Sequence, residues 1–348
     1  MNLGGRTMKK IALAGGAFAL LAALLAPGAV MAQASGASVP ALHDGIVVDP
    51  AGGAAYVMSP AGGIEARELA TGNILWRSEE AAKPLLVVDG TLVAQAPPAP
   101  EGDLVVVTFD KKQGTAKERK NIKLPPGQRA RVTDGISSSF RAQAFATADG
   151  GVIVSWTSQD GRSIQGLLAP EVEVPQDAKA ATARLETANA ALQQNRRGAV
   201  RLDLRSGKVA SLPFAEAQAK AIKAPGLTAR IGGGADKAAG AALGQMTSLD
   251  GRHTLTSERI PGQVWDRYRW TVTDAAGAAV GTVDAPVSMA PFVVSGTRIL
   301  YVAEPAIQKE NNQFVQKPLR LKALDLQTGA AQWEALVVDS TYRGPFPP

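Results

Sequence analysis

Ala66-Arg-Glu-Leu-Ala-Thr-Gly-Asn-Ile-Leu-Trp76 returns near the C-terminus as Ala323-Leu-Asp-Leu-Gln-Thr-Gly-Ala-Ala-Gln-Trp333. Three fainter copies align on their glycines: Phe109-Asp-Lys-Lys-Gln-Gly114, Leu202-Asp-Leu-Arg-Ser-Gly207 and Val272-Thr-Asp-Ala-Ala-Gly277. The phrase has the chemistry of a tight turn between two strands. Glycine adopts positive φ without a Cβ penalty, and Asp, Ser and Thr side chains bond nearby backbone N–H groups in turns. Trp76 and Trp333 follow Gly72 and Gly329 at the same distance, on the strand beyond the turn, where a large ring can pack between sheets while its N–H finds a partner.

Working outward from the first copy, four short strands are expected at Gly45–Val48, Ala54–Met58, Ile64–Leu69 and Ile74–Arg77, separated by Gly-containing turns. Four strands joined in this way make one antiparallel sheet. The same order recurs at Leu85–Lys120, although Glu118 stands there where the first unit has Trp76. A third unit runs from Phe140 to Leu212, a fourth from Met246 to Val283 and a fifth from Phe292 to Val337. Serial four-stranded units predict a β-propeller, in which each sheet buries its faces on its neighbours. The fold class is therefore all-β, with about five blades and a range extending to seven.

In units one and five, the order of strand, turn, strand, loop and an ending of the form apolar-Asp/Glu-Leu-x-Thr-Gly-x-x-x-Trp resembles the repeat of the pyrroloquinoline-quinone-type (PQQ-like) propeller family. The match is specific over Ile64–Trp76 and Leu319–Trp333, partial at Leu202–Gly207 and weak in units two and four. The resemblance implies that Trp76 and Trp333 dock one blade on the next, with Gly72 and Gly329 at the turns. Quinone-dependent members of that family use a larger ring, a cofactor stacked on Trp, often a cysteine pair, and calcium. This chain has no cysteine and fewer repeats, so the resemblance implies the architecture and no cofactor.

Residues 1–34 read differently. Arg6, Lys9 and Lys10 precede an apolar run from Ile11 to Ala26, followed by Pro27-Gly28 and Ala32-Gln-Ala34. This is the pattern of a signal peptide with cleavage expected after Ala34, and it implies a periplasmic or secreted protein. The run falls short of the roughly 18–20 apolar residues of a membrane span, which is the alternative reading. The formal charge is +6, but removing this leader leaves 34 basic against 31 acidic side chains. So mild an excess, with Lys111-Lys112, Lys117 and Lys123 scattered along strands and turns, does not make the basic face that nucleic acid requires.

Unit three carries an insertion of about residues 160–197. Pro175-Gln-Asp177 suits a helix start, Gly198 a stop and Arg196-Arg197 a charged last turn. Ala178, Ala181, Leu185, Ala188 and Leu192 fall on one stripe, which predicts a helix from about Ala178 to Gln194. Leu185 and Leu192 face inward in this reading, either onto the rim of the propeller or toward a partner protein. The segment Phe214–Ala242 is expected to be a long connection, and Tyr342–Pro348 a Pro-rich extended tail within a terminal segment 339–348.

Catalytic signals are few. His43 and His253 lack metal-ligand spacing. Ile231-Gly-Gly-Gly-Ala-Asp-Lys237 lacks the Gly-Lys-Ser/Thr ending of a phosphate loop. The Asp-Gly pairs at Asp44, Asp89, Asp134, Asp149, Asp160 and Asp250 read as turns between strands. One cluster stands out, Trp265-Asp-Arg-Tyr-Arg-Trp270. On a strand it puts Trp265, Arg267 and Arg269 on one face, as a basic and aromatic interaction surface or as ordinary Arg–Trp stacking. No catalytic, cofactor or metal residue is assigned. The sequence thus supports a non-catalytic propeller that binds a protein partner in the envelope, as the family's outer-membrane assembly scaffold does. The alternative is a small-molecule binder or hydrolase using the central funnel, which rests on fold analogy.

Overall fold

The computed structural model describes residues 38–134, 138–160, 179, 182, 186, 196–222, 230–231, 242–262, 267–303, 307–310, 313–316 and 318–341. Residues 35–348 form one compact unit. The leader, Leu185, Leu192, Trp265 and the tail beyond Thr341 lie outside the described residues. Of the expected insertion helix, Lys179, Thr182 and Glu186 are described; all three are helical and exposed.

An N-terminal strand β1 (Ser38–His43) precedes blade 1, which comprises β2 (Ile46–Asp49), β3 (Ala54–Met58), β4 (Ile64–Glu68) and β5 (Ile74–Ser78). Blade 2 comprises β6 (Lys83–Val88), β7 (Thr91–Gln95), β8 (Leu104–Asp110) and β9 (Ala116–Ile122). Blade 3 comprises β10 (Ser138–Ala146), β11 (Val152–Asp160), β12 (Arg197–Leu202) and β13 (Val209–Leu212). A short helix α1 (Phe214–Lys220) and a two-residue strand β14 (Arg230–Ile231) lead to blade 4. That blade comprises β15 (Ala242–Thr247), β16 (His253–Arg259), β17 (Tyr268–Asp274) and β18 (Ala279–Ala285). Blade 5 begins with β19 (Phe292–Ser295) and β20 (Arg298–Ala303). A hairpin of β21 (Ile307–Glu310) and β22 (Gln313–Gln316) then interrupts it before β23 (Leu319–Asp325) and β24 (Ala331–Val337).

Within each blade the strands pair antiparallel in chain order. Five such four-stranded units in series among the described residues make a β-propeller. Buried apolar clusters join blade 1 to blade 2, blade 2 to blade 3, and blade 4 to blade 5. A further cluster contains Ile46, Val48 and Val57 of blade 1 together with Leu300, Leu321 and Val337 of blade 5, and it closes the ring. Among the described residues no such cluster joins blades 3 and 4. There Ile153 and Ala199 of blade 3 bury Ala217 of α1, with Leu212 and Phe214 packed alongside.

Strand β1 escapes the periodic reading because Pro40 sits inside it, and proline is normally excluded from strands paired on both sides. The topology resolves the conflict. Ser38–Pro40 pair with β6, and Ala41–His43 pair with β2, so no residue of β1 pairs on both sides. This strand bridges the innermost strands of blades 1 and 2 into one nine-stranded sheet.

Two expectations need correction. Arg197 and Gly198 belong to β12, paired with Thr157 and Trp156, and not to a helix end. Gly198 is absent from the positive-φ conformations a helix C-cap would use; a Cβ there would instead collide with the Trp156 ring, so glycine lets the indole lie against the strand. Second, the connection after blade 3 is not wholly irregular, since it begins with α1.

Candidate functional site

The repeated phrase builds a docking device between blades. Its five anchor glycines, Gly72, Gly114, Gly207, Gly277 and Gly329, all have φ between 65° and 83°. In blades 2, 3 and 5 the carboxylates of Asp110, Asp203 and Asp325 accept backbone N–H bonds across the turn at 2.8–3.1 Å. Those bonds, from Gln113, Ser206 and Thr328 first, hold all three carboxyls below their ordinary value.

The tryptophans connect each turn to the blade before it. The Trp76 indole N–H donates to the Lys111 carbonyl of blade 2 at 3.2 Å, and the Trp333 indole N–H to the Leu69 carbonyl of blade 1 at 3.0 Å. Each acceptor lies three residues before an anchor glycine, and the ring lies over that glycine. A Cβ on Gly72 would sit 2.8 Å from the Trp333 ring, and one on Gly114 would collide with Trp76. Trp76 also stacks on Phe109 at 6.2 Å.

At the other interfaces the device degrades. Glu118 and Lys120 occupy the space beside Gly207, in place of an indole. Between blades 4 and 5 the Trp position is Gly281, and the Thr282 N–H donates directly to the Leu326 carbonyl at 3.0 Å. Gly277 of blade 4 has nothing within 4 Å of where a Cβ would lie. Gly329, on blade 5, has only the Thr282 carbonyl near it, at 3.7 Å.

The Trp265 cluster is only partly described. Arg267 and Arg269 are exposed. Arg269 is paired across the sheet with Asp284, its Nε 3.0 Å from the carboxylate. Trp270, on the opposite face, is fully buried, donates to the Val287 carbonyl at 2.9 Å and meets Tyr301 edge-on.

A lateral groove of about 910 Å³ runs from the end of β9 over β12 and the edge strand β13 to the start of α1. Trp156 lies at its base, its indole N–H donating to the Gln128 side chain at 3.1 Å in the loop that leaves blade 2. Phe214 stands on the far side, with the Arg197 guanidinium 5.2 Å above its ring. Lys123 and Arg197 are the charged residues of the lining, both exposed and both basic. Sequence reasoning passed over this site. The signal available was Gly198 opposite Trp156, which is visible only once β11 and β12 are in register.

The two ends of the central channel differ. One end holds a cavity of about 280 Å³ lined by Val48, Leu86, Phe145, Leu249 and Val293, one from each blade, and by Pro40 of β1. The other end is ionic. Lys83, fully buried, pairs with Asp44, which also meets Arg141 at 3.6 Å and accepts hydrogen bonds from Ser340. Burial pushes the Asp44 carboxyl up, but Lys83, Ser340 and Arg141 together outweigh it and hold its pKa below the ordinary value. His43 faces Asp339 at 4.0 Å, and Met58 bridges Val338, so residues 338–341 are fastened to blade 1. Among the described residues no group of three His, Asp or Glu side chains is placed to hold a metal ion.

No family model and no curated protein sequence matches the chain. Solved structures similar to it are β-propellers of several kinds. The hydrazine synthase of Kuenenia stuttgartiensis is 14% identical, with 78% of this chain and 70% of that one covered and a TM-score of 0.30. BamB from Moraxella catarrhalis is 13% identical, with 88% and 68% covered and a TM-score of 0.22. A 6-phosphogluconolactonase-like protein from Bacteroides fragilis is 12% identical, with 88% and 97% covered and a TM-score of 0.28.

Proposed function

We propose that this protein is an exported, non-catalytic β-propeller that acts as a protein-binding scaffold in the cell envelope. The observation that carries the reading is the lateral groove. It combines an edge strand, β13, whose outer side pairs with no described strand, two aromatic side chains and two basic side chains with no acidic one. Edge strands accept extended peptides by main-chain pairing, while side-chain pockets select the sequence. The lining therefore suits an extended segment of another envelope protein bearing carboxylates for Lys123 and Arg197 and an apolar side chain for Trp156 and Phe214. Export rests on the leader pattern of residues 1–34.

Crosslinking and co-purification from the envelope test this reading. The expected result is a stoichiometric protein partner that is lost in a Lys123→Glu, Arg197→Glu variant that stays folded, as judged by its circular dichroism. A partner retained by that variant would move the binding surface elsewhere, purification of the chain alone would overturn scaffolding, and recovery of the chain from the cytoplasm with Met1 intact would overturn export.

A further inference from the structure

We propose that the apolar end of the central channel is a binding site for a small apolar zwitterion, such as a free branched-chain or aromatic amino acid. The cavity is lined by Val48, Leu86, Phe145 and Val293 from the inner strands of blades 1, 2, 3 and 5, by Pro40 of β1 and by Leu249 of the β15–β16 turn of blade 4. At about 280 Å³ it lies at the small end of the range for small-molecule sites. Apolar walls with a few placed polar groups are what a small-molecule site requires.

The polar groups at its mouth select the ligand class. Asp250 and Arg252 lie on the β15–β16 turn and line the cavity. Asp250 uses one carboxylate oxygen, Oδ1, to accept the Ser248 hydroxyl at 2.6 Å and the Arg252 backbone N–H at 3.1 Å. These bonds fix the turn and leave Oδ2 facing no described donor. The Arg252 side chain is exposed and pairs with no described carboxylate. Asp49, the third charged residue of the lining, is already neutralised, since Lys111 Nζ lies 2.7 Å from it and the Gly52 N–H bonds it at 2.9 Å. The mouth thus offers one free carboxylate oxygen and one free guanidinium, flanking an apolar space. An α-ammonium on Asp250 and an α-carboxylate on Arg252 would satisfy both with the side chain inside. A simple anion would leave Asp250 opposing it, and a simple cation would face Arg252.

The test is calorimetric titration of the purified full chain with L-phenylalanine and L-leucine, and with N-acetylphenylalanine and phenethylamine, which each lack one charge. Saturable binding of an amino acid is expected, with each single-charge analogue weakened on the order of ten-fold, the worth of one charged hydrogen bond. Arg252→Gln and Asp250→Asn are expected to weaken it similarly. Ala51→Trp, at an exposed position on the mouth, is expected to abolish it without changing the thermal midpoint. Lys123→Glu with Arg197→Glu should leave it unchanged, which separates this site from the lateral groove. Absence of saturable heat with both amino acids, equal binding of an analogue, or indifference to Arg252→Gln would each overturn the proposal.

Discussion

Blade 1 and blade 4 have the same four strands in the same order, yet they are held in different ways. In blade 1 every residue of β3 is buried, with Ala55 and Val57 facing blade 5 and Ala54 and Tyr56 facing blade 2. In the corresponding strand of blade 4, β16, only Leu255 and Ser257 are buried. Leu255 joins Trp270 and Val272 on the side of blade 5. The face turned away carries half-buried threonines, Thr254 and Thr256 opposite Thr273 and Thr271. The difference follows the repeat. Where the phrase is intact, an indole reaches the next blade and both faces are apolar. In blade 4, where it has decayed, one face has become polar, and α1 covers blade 3 on its own.

Removing the tryptophans strikes the intact side hardest. Trp333→Ala and Trp76→Ala should each cost about 3 kcal/mol, the low end for an aromatic truncation because both rings are half-buried. Urea denaturation would show it, and unchanged midpoints would mean that the indoles do not carry the docking.

The anchor glycines make a sharper comparison, because the same substitution is made twice in the same turn. Gly114→Ala meets both a positive φ of 70° and the Trp76 ring, whereas Gly277→Ala meets a φ of 83° and open space. The expected losses are about 2–3 kcal/mol in blade 2 and about 1 kcal/mol in blade 4, the backbone penalty alone. Equal losses would say that the ring contact contributes nothing.

Phe214→Ala tests the cover on blade 3. It removes a half-buried ring and its Arg197 contact, and about 1 kcal/mol should be lost. An unchanged midpoint would mean that α1 does not stabilise blade 3.

The smallest effect is on acid stability. Asp110, Asp203 and Asp325 have folded pKa values below the ordinary 3.8, so their contribution is complete above about pH 4 and is lost as pH falls through the folded values. Unfolding midpoints followed from pH 5 to pH 2 should decline, and Asp110→Asn should flatten part of that decline.

Much of this was legible in the sequence, because turns and strand alternation are local. The phrase located the turns and the two inter-blade tryptophans, and alternation located the strands of all five blades. What escaped was set by contacts distant in the chain. Strand β1 is hidden by Pro40 and is explained only by partners on two different blades. Gly198 reads as a helix stop until Trp156 is laid against it. Asp44 looks like an ordinary turn residue, and only folding brings Lys83, Arg141 and Ser340 around it. The cavity mouth was likewise noted only as an Asp-Gly turn at Asp250, because its walls come from five blades and β1.

The contrast between an indole-locked side and a decayed seam is tested most directly by native-state hydrogen exchange in the full chain, comparing Tyr56 and Val57 of β3 with Leu255 and Thr256 of β16. The account predicts that the β3 amides exchange only through global unfolding, while the β16 amides exchange through a local opening of lower free energy. Equal opening free energies in the two strands, or slower exchange in β16, would contradict it.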